Sequence, residues 1–428
     1  MNFYEPIPKE NFSAEFNIPG SKSITNRALI LSAFSGKSIL LKNILLSDDT
    51  KYMINALKEL GNKIIVDENK KTISITGNKN PTFNNIDLFI GNAGTAMRFL
   101  ASYLATGYGT ATLIGNERMN ERPIKDLVES LTQLGVRVTY LNESGYPPIK
   151  LQCQGVSCEC VKIDGSKSSQ YISSILMAAP NFKNKISIEL VGKIVSKPYI
   201  DMTLNMIKNF GGEYLFKGNK ITITPKEYNI KEYIVEGDMS SASYFLALAL
   251  IANSKITLNN FAKNSIQGDS KFLNVLQSMG LSIVNQEKNK ITIKGVKKYN
   301  GLDISMNDIP DVAQTLAAVA IFADSPTYIH DVENMRIKET DRISALKNEL
   351  EKLNVTFIEY EDGFKIIPKP LHEYIGASLN TYDDHRMAMS LALTGLRISG
   401  IKILDSQCVS KTFPNFFQEF SKIYQEEV

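Results

Sequence analysis

Five stretches of this chain repeat one plan: an amphipathic helix that runs out at glycine or asparagine, a short alternating strand, a polar turn, and a second alternating strand. The copies span 52–77, 124–151, 199–225, 272–295 and 343–368. Their helix-ending residues, Gly61, Gly135, Gly211, Gly280 and Asn354, recur 69 to 76 residues apart and are the types that enter a left-handed C-cap at least steric cost. Lys220-Ile221-Thr222-Ile223-Thr224 and Lys290-Ile291-Thr292-Ile293-Lys294 show the strand alternation, each after a Gly-Asn or Lys-Asn turn. Each module also carries a helix that is apolar nearly all round, such as 242–252 or 312–323, and such helices belong inside. A sixth amphipathic helix, 413–423, has no strands after it, which leaves the N-terminal segment to supply one. The expectation is an α/β chain of six βαβαββ-type modules in two groups of three, with a crossover near Glu236-Gly237-Asp238. Residues 20–237 form one domain and residues 1–19 plus 238–428 the other. A solenoid is the alternative reading of a repeat, but the charged motifs differ from copy to copy, which favours a functional cleft.

Composition narrows the function. The 428 residues suit two or three domains with full cores, and a net charge of +3 is too small for a general nucleic-acid binder. The longest apolar stretch, 242–252, is well short of the ~18 residues of a membrane span, and the N-terminus is not signal-like. A soluble, cytoplasmic protein is expected. Cys153, Cys158, Cys160 and Cys408 match no zinc or disulfide spacing and read as structural thiols. Arginine is scarce, 9 against 39 lysines, and all but Arg137 and Arg397 fall inside dense motifs or, like Arg336, just beside one. Where arginine persists, its planar and permanently charged fork is called for.

Those motifs look built for anions. Pro19-Gly20-Ser21-Lys22-Ser23-Ile24-Thr25-Asn26-Arg27 opens a helix with two hydroxyls and two cations, and Gly165-Ser166-Lys167-Ser168 echoes it about two modules later. Gly91-Asn92-Ala93-Gly94-Thr95-Ala96-Met97-Arg98 is a second helix-start cradle. Arg118 to Pro123 follows, with Pro123 fitting the first turn of the next helix. Lys338-Glu339-Thr340-Asp341-Arg342 mixes acids and bases at helical spacing, and Asp383-Asp384-His385-Arg386 and Lys411-Thr412-Phe413-Pro414 complete the set. His385 reads as a packed or capping residue. Gly36-Lys37-Ser38 resembles the end of a P-loop, but Leu31 stands where that motif needs glycine, so a nucleotide kinase is disfavoured.

Taken together with Gly165 through Gln170, Ile309-Pro310-Asp311 and Asp384 through Met389, these motifs resemble the 5-enolpyruvylshikimate-3-phosphate synthase family over nearly the whole chain and in the family's order. The resemblance implies the enolpyruvyl transferase fold, two similar domains of three modules with the active site in the interdomain cleft. It implies transfer of the enolpyruvyl group of phosphoenolpyruvate to the 5-hydroxyl of shikimate 3-phosphate, with release of phosphate, on the route to chorismate and the aromatic amino acids. By resemblance, Lys22, Ser23, Arg27, Ser168, Ser169, Gln170, Ser196, Asp311, Asn334 and Lys338 meet shikimate 3-phosphate. Lys22, Gly94, Arg122, Gln170, Arg342, Arg386 and Lys411 meet phosphoenolpyruvate. Addition-elimination needs one group to take the hydroxyl proton and another to protonate the methylene carbon and later take that proton back. Asp311 is assigned the first task and Glu339 the second, with Lys22 stabilising charge. No metal or organic cofactor is implied, and a monomer without nucleic-acid or membrane partners is expected. Members sensitive to glyphosate usually carry proline after Ala-Met-Arg, where this chain has Phe99. That departure puts inhibitor sensitivity in doubt but leaves catalysis intact.

Three other readings compete. UDP-N-acetylglucosamine enolpyruvyl transferases share fold and chemistry but place a reactive cysteine in the loop before the module-two helix, and residues 114–123 contain none. A non-catalytic scaffold for anionic partners would gain nothing from Asp311 and Glu339 among its bases. An RNA-end-processing enzyme would need a broader basic surface.

Overall fold

The computed structural model describes residues 3–425 and divides into two compact units. One is contiguous, Gly20–Val235; the other is split, residues 1–19 with Glu236–Val428. Local bonding explains where the chain changes allegiance. Val235 donates its N–H to Lys42 and accepts from the Asn43 amide, whereas the Glu236 carboxylate accepts from Ser265 and Gln267.

Five sheets share one strand order, a parallel pair followed by an antiparallel hairpin. In one of them Thr82–Phe89 runs parallel to Tyr108–Ile114, which pairs antiparallel with Ile149–Gln154, itself paired with Arg137–Tyr140. The alternation seen in the sequence becomes alternation of burial, as in Lys220–Thr224, where Ile221 and Ile223 point inward. Each hairpin follows a helix closed by a left-handed residue: φ is 85° at Gly61, 92° at Gly135, 99° at Gly211, 107° at Gly280 and 65° at Asn354. The contiguous unit completes its first sheet with its last strand, Glu232–Ile234, laid parallel to Ser38–Lys42. The split unit uses the N-terminal segment twice. Ser13–Asn17 runs parallel to Lys255–Asn259, and Phe3–Tyr4 pairs antiparallel with Lys402–Leu404 in a three-stranded sixth sheet.

The helices that are apolar all round lie inside, as expected. In the contiguous unit these are Lys22–Ser35, Gly94–Ala105 and Ser169–Ala178, and every residue from Gly94 to Ala105 is buried. In the split unit they are Met239–Ile251, Ala313–Ala320 and His385–Ala392. Burying a large aliphatic or aromatic side chain contributes about 1.5–3 kcal/mol, so these helices anchor each unit. The motifs around Lys22, Gly94, Ser169 and His385 sit at the N-termini of four of them.

Three local readings change. The expected helix 312–323 is shorter, because Pro310–Val312 forms a 3₁₀ turn before Ala313–Ala320. The expected helix 413–423 reduces to Phe416–Phe420 between 3₁₀ segments Ser406–Lys411 and Ser421–Tyr424, since Pro414 supplies no N–H to a longer run. Lys338 to Thr340 are bends, not helix, because the Asp341 side chain caps the next helix by accepting from the N–H groups of Ile343 and Ser344.

Candidate functional site

In the contiguous unit, Ser21 caps the helix that presents Lys22, Ser23 and Arg27, accepting from Ile24 N. Lys22 Nζ lies 3.1 Å from Asp49 Oδ2, a carboxylate almost wholly buried beside it. One turn on, Arg27 is only 2% exposed, and its guanidinium gathers three helices. Nε donates to Thr203 Oγ1 at 2.8 Å, Nη1 to Ser23 O at 3.1 Å, and Nη2 to Ser173 Oγ at 3.2 Å and Tyr199 O at 3.5 Å. Through these bonds Arg27 ties the Lys22 segment to the helices that begin after Ser168 and Ser196. Ser168 caps its helix by accepting from Gln170 N, with Ser169 buried beside it. Ser196 sits in left-handed backbone (φ 53°) at the start of Lys197–Asn209.

Gly94 begins its helix where two guanidiniums crowd. Arg98 Nη1 donates to Gly94 O at 3.1 Å and its Nη2 to Pro123 O at 2.9 Å, while Arg122 Nη1 donates to Asn92 Oδ1 at 2.9 Å. A methyl group on Gly94 would lie 2.6 Å from Arg122 Nη2 and 2.7 Å from Arg98 Nη1, so any side chain there would have to push both guanidinium ends aside. Pro123 precedes the helix Lys125–Gln133 rather than opening it, and its carbonyl serves Arg98 and the Tyr171 hydroxyl.

The split unit assembles a denser network. Arg342, 1% exposed, opens the helix Arg342–Glu351 and meets three carboxylates: Asp384 Oδ2 from Nε at 2.7 Å, Glu339 Oε2 from Nη2 at 2.9 Å, and Asp311 Oδ1 from Nη1 at 3.3 Å. Glu339 Oε1 is 3.2 Å from Lys411 Nζ. Asp311 Oδ2 is 3.1 Å from Arg386 Nη2, and Lys338 Nζ stands 3.7 Å from Asp311 Oδ1. Asp384 also caps its helix, accepting from Arg386 N. Burial alone would raise the Asp311 carboxyl, but Arg386, Lys338 and Arg342 outweigh it and hold the group well below the usual carboxylate range. Nearby Asp269, buried and bonded by the Ser240 hydroxyl, is pushed up to about 6, chiefly by desolvation and then by the Asp311 charge. Asn334 lies buried on the 3₁₀ segment Glu333–Ile337, and His385 is packed at 1% exposure.

Within its own unit, each sequence-derived candidate other than Asn334 therefore joins one of these constellations or a helix start beside them. Two motif arginines do not. Arg336 is bound to Glu359, Asp341 and the carbonyls of Tyr360 and Glu361, and Arg118 pairs with Glu121 on the surface. Sequence reasoning missed Asp49, Asp384, Tyr199, Thr203 and Asp269 as site residues. Only Asp384 stood in a quoted motif, where its capping position gave a usable signal.

Among the described residues no helix is long and apolar enough to cross a membrane. The family model for EPSP synthase (3-phosphoshikimate 1-carboxyvinyltransferase) matches residues 7–420. The 3-phosphoshikimate 1-carboxyvinyltransferase of Actinobacillus pleuropneumoniae serotype 3 is 44% identical over 429 residues, covering 97% of this chain and 98% of the relative. That of Haemophilus influenzae (strain Rd) is 44% identical over 421 residues, 95% of each chain. The solved EPSP synthase of Acinetobacter baumannii superposes with a TM-score of 0.81 at 25% identity, covering 98% of both chains.

Proposed function

The chain belongs to the EPSP synthase family, which transfers the enolpyruvyl group of phosphoenolpyruvate to shikimate 3-phosphate, and from that premise we propose how its residues divide the reaction. Asp311 takes the proton of the 5-hydroxyl as that oxygen bonds to C2 of phosphoenolpyruvate. Glu339 delivers a proton to the methylene carbon. In the second half the C2–O bond to phosphate breaks, phosphate leaves, and Glu339 takes the methyl proton back. Lys22, Ser23, Arg27, Ser168, Ser169, Gln170 and Ser196 of the contiguous unit, with Asn334 and Lys338 of the split unit, bind shikimate 3-phosphate. Lys22, Gly94, Arg122, Gln170, Arg342, Arg386 and Lys411 bind phosphoenolpyruvate, and Lys22 also stabilises charge as it develops.

One observation carries the proton assignment. Asp311 and Glu339 are interleaved with Lys338, Arg342, Arg386 and Lys411, every one within ion-pair distance of one of the two acids. A site that only bound anions would be weakened by those carboxylates. Held as it is, Asp311 is a weak base. Anionic substrates that engage Arg342, Arg386 and Lys338 draw positive charge away from it, so its basicity rises when the acceptor hydroxyl arrives. In the same way, engagement of Lys411 and Arg342 leaves Glu339 freer to hold a proton.

A phosphate-release assay with phosphoenolpyruvate and either shikimate 3-phosphate or UDP-N-acetylglucosamine tests the acceptor. Release with shikimate 3-phosphate alone is expected, in keeping with the absence of cysteine from residues 114–123. Release with the nucleotide sugar, or with neither acceptor, would contradict it. The reading includes a monomeric, cytoplasmic enzyme, and sedimentation of the active protein checks the first of these.

A further inference from the structure

Among the described residues, Arg27 is a buried cation that no carboxylate pairs with. Among the described residues its guanidinium meets two hydroxyls, two backbone carbonyls and two aromatic faces. The Phe99 ring centroid is 5.1 Å from the guanidinium carbon and the Tyr199 centroid 6.0 Å. Phe99 is 1% exposed, on the buried helix Gly94–Ala105, so its contact with the cation is fully desolvated. That is the setting in which an aromatic face holds a cation most strongly, because no water competes for the charge. Burial draws the Arg27 pKa down to about 10, which leaves it charged at neutral pH. Four of its five N–H groups are committed to Thr203, Ser23, Ser173 and Tyr199, which leaves one on Nη1 over. Among the described residues no carboxylate neutralises the charge, so it remains available to an anion, while rings and hydroxyls fix its direction.

We propose that Phe99 is a positioning residue for the acceptor substrate, its aromatic face fixing the Arg27 guanidinium against which shikimate 3-phosphate binds. The inference rests on the assignment of Arg27 to that substrate. The cation that the Phe99 ring faces is Arg27, which is assigned to the acceptor and not to phosphoenolpyruvate. The ring's influence therefore falls on acceptor affinity. The electrostatics of the ring, not its volume, is what acts on Arg27.

The test replaces Phe99 by phenylalanines carrying one, two, three and five ring fluorines, which keep nearly the same shape while draining the negative face of the ring. Wild-type activity with shikimate 3-phosphate and phosphoenolpyruvate is measured first; its absence would overturn the functional reading itself. Given that activity, the KM for shikimate 3-phosphate and its Kd by calorimetry should climb stepwise with fluorination, to about tenfold at five fluorines. The KM for phosphoenolpyruvate and kcat should stay within about twofold. Phe99→Tyr should restore near-wild-type acceptor affinity, and Phe99→Leu should weaken it as the pentafluoro ring does. A flat series, or both Michaelis constants rising together, would overturn the proposal while leaving the functional reading in place.

Discussion

Arg342 in the split unit is ringed by three carboxylates, whereas Arg27 in the contiguous unit is held by hydroxyls, carbonyls and aromatic faces. Both guanidiniums are buried to within 2%. A buried cation can be tolerated through opposite charge or through neutral dipoles, and the two choices have different consequences. Carboxylates can move protons but must be matched by cations. Neutral partners move nothing but leave the positive charge free to act outward. On the proposed assignments, the buried arginine of the split unit thus serves the acid-base groups and that of the contiguous unit the capture of the acceptor.

The largest effect expected from this contrast is on stability. Arg342→Leu leaves Asp384, Glu339 and Asp311 without their shared cation and should cost about 3–5 kcal/mol, read from urea unfolding. Arg27→Leu removes a cation that no carboxylate depends on and should cost less than about 2 kcal/mol while weakening acceptor binding. Equal losses in the two variants would erase the distinction.

Turnover sharpens it next. Glu339→Gln keeps size and hydrogen-bonding capacity but cannot hold a transferable proton, so kcat should fall by roughly 10²-fold or more with substrate binding preserved. Asp311→Asn should lower kcat as well, with some loss of acceptor affinity because the same carboxylate meets the substrate. Wild-type turnover in purified Glu339→Gln would remove its role.

A third test uses pH. Asp269 has its folded pKa raised to about 6 against an ordinary value of 3.8, so the folded protein holds that proton more tightly than the unfolded chain. As pH rises from about 4 to 6 the unfolded chain releases the proton first, and stability falls; above about 6 the penalty is fully present. It is on the order of 3 kcal/mol. Asp269→Asn should therefore be less stable relative to wild type at pH 4 than at pH 7, measured by urea titration at each pH. A difference that does not change with pH would mean Asp269 is ionised freely.

The smallest effect concerns Gly94. A methyl there must push aside the guanidinium ends of Arg122 and Arg98, which lie 2.6 and 2.7 Å from its place. Glyphosate, longer than phosphoenolpyruvate, should suffer more from the lost space. Gly94→Ala is expected to raise the inhibition constant for glyphosate by a larger factor than the KM for phosphoenolpyruvate, and equal factors would mean that Gly94 does not line the discriminating wall.

Much of this was legible in the sequence because its signals are local. A left-handed residue such as Gly135 or Asn354 marks a helix end without reference to anything distant, and alternation at Ile291 and Ile293 shows which face is buried. Arginine scarcity pointed to Arg27, Arg122, Arg342 and Arg386. It also pointed wrongly to Arg336, because clamping Glu359 and two carbonyls needs the same planar fork as clamping a substrate. What stayed hidden depends on convergence. Thr203 reaches Arg27 across 176 positions of sequence and Asp384 reaches Arg342 across 42, and no periodicity records either meeting. The bends at Lys338 and Glu339 were missed because the capping side chain of Asp341 outweighs the helical spacing of the charges before it.

The claim that the carboxylates of the split unit exist to move protons is tested most directly by isotope incorporation. With both substrates saturating in deuterium oxide, the wild-type enzyme should place deuterium in the methylene group of recovered phosphoenolpyruvate and of product. Glu339→Gln, shown by calorimetry to bind both substrates, should do so at least ~100-fold more slowly. Incorporation at the wild-type rate in that variant would contradict the account, because the proton at the methylene carbon would then be carried by a group other than Glu339.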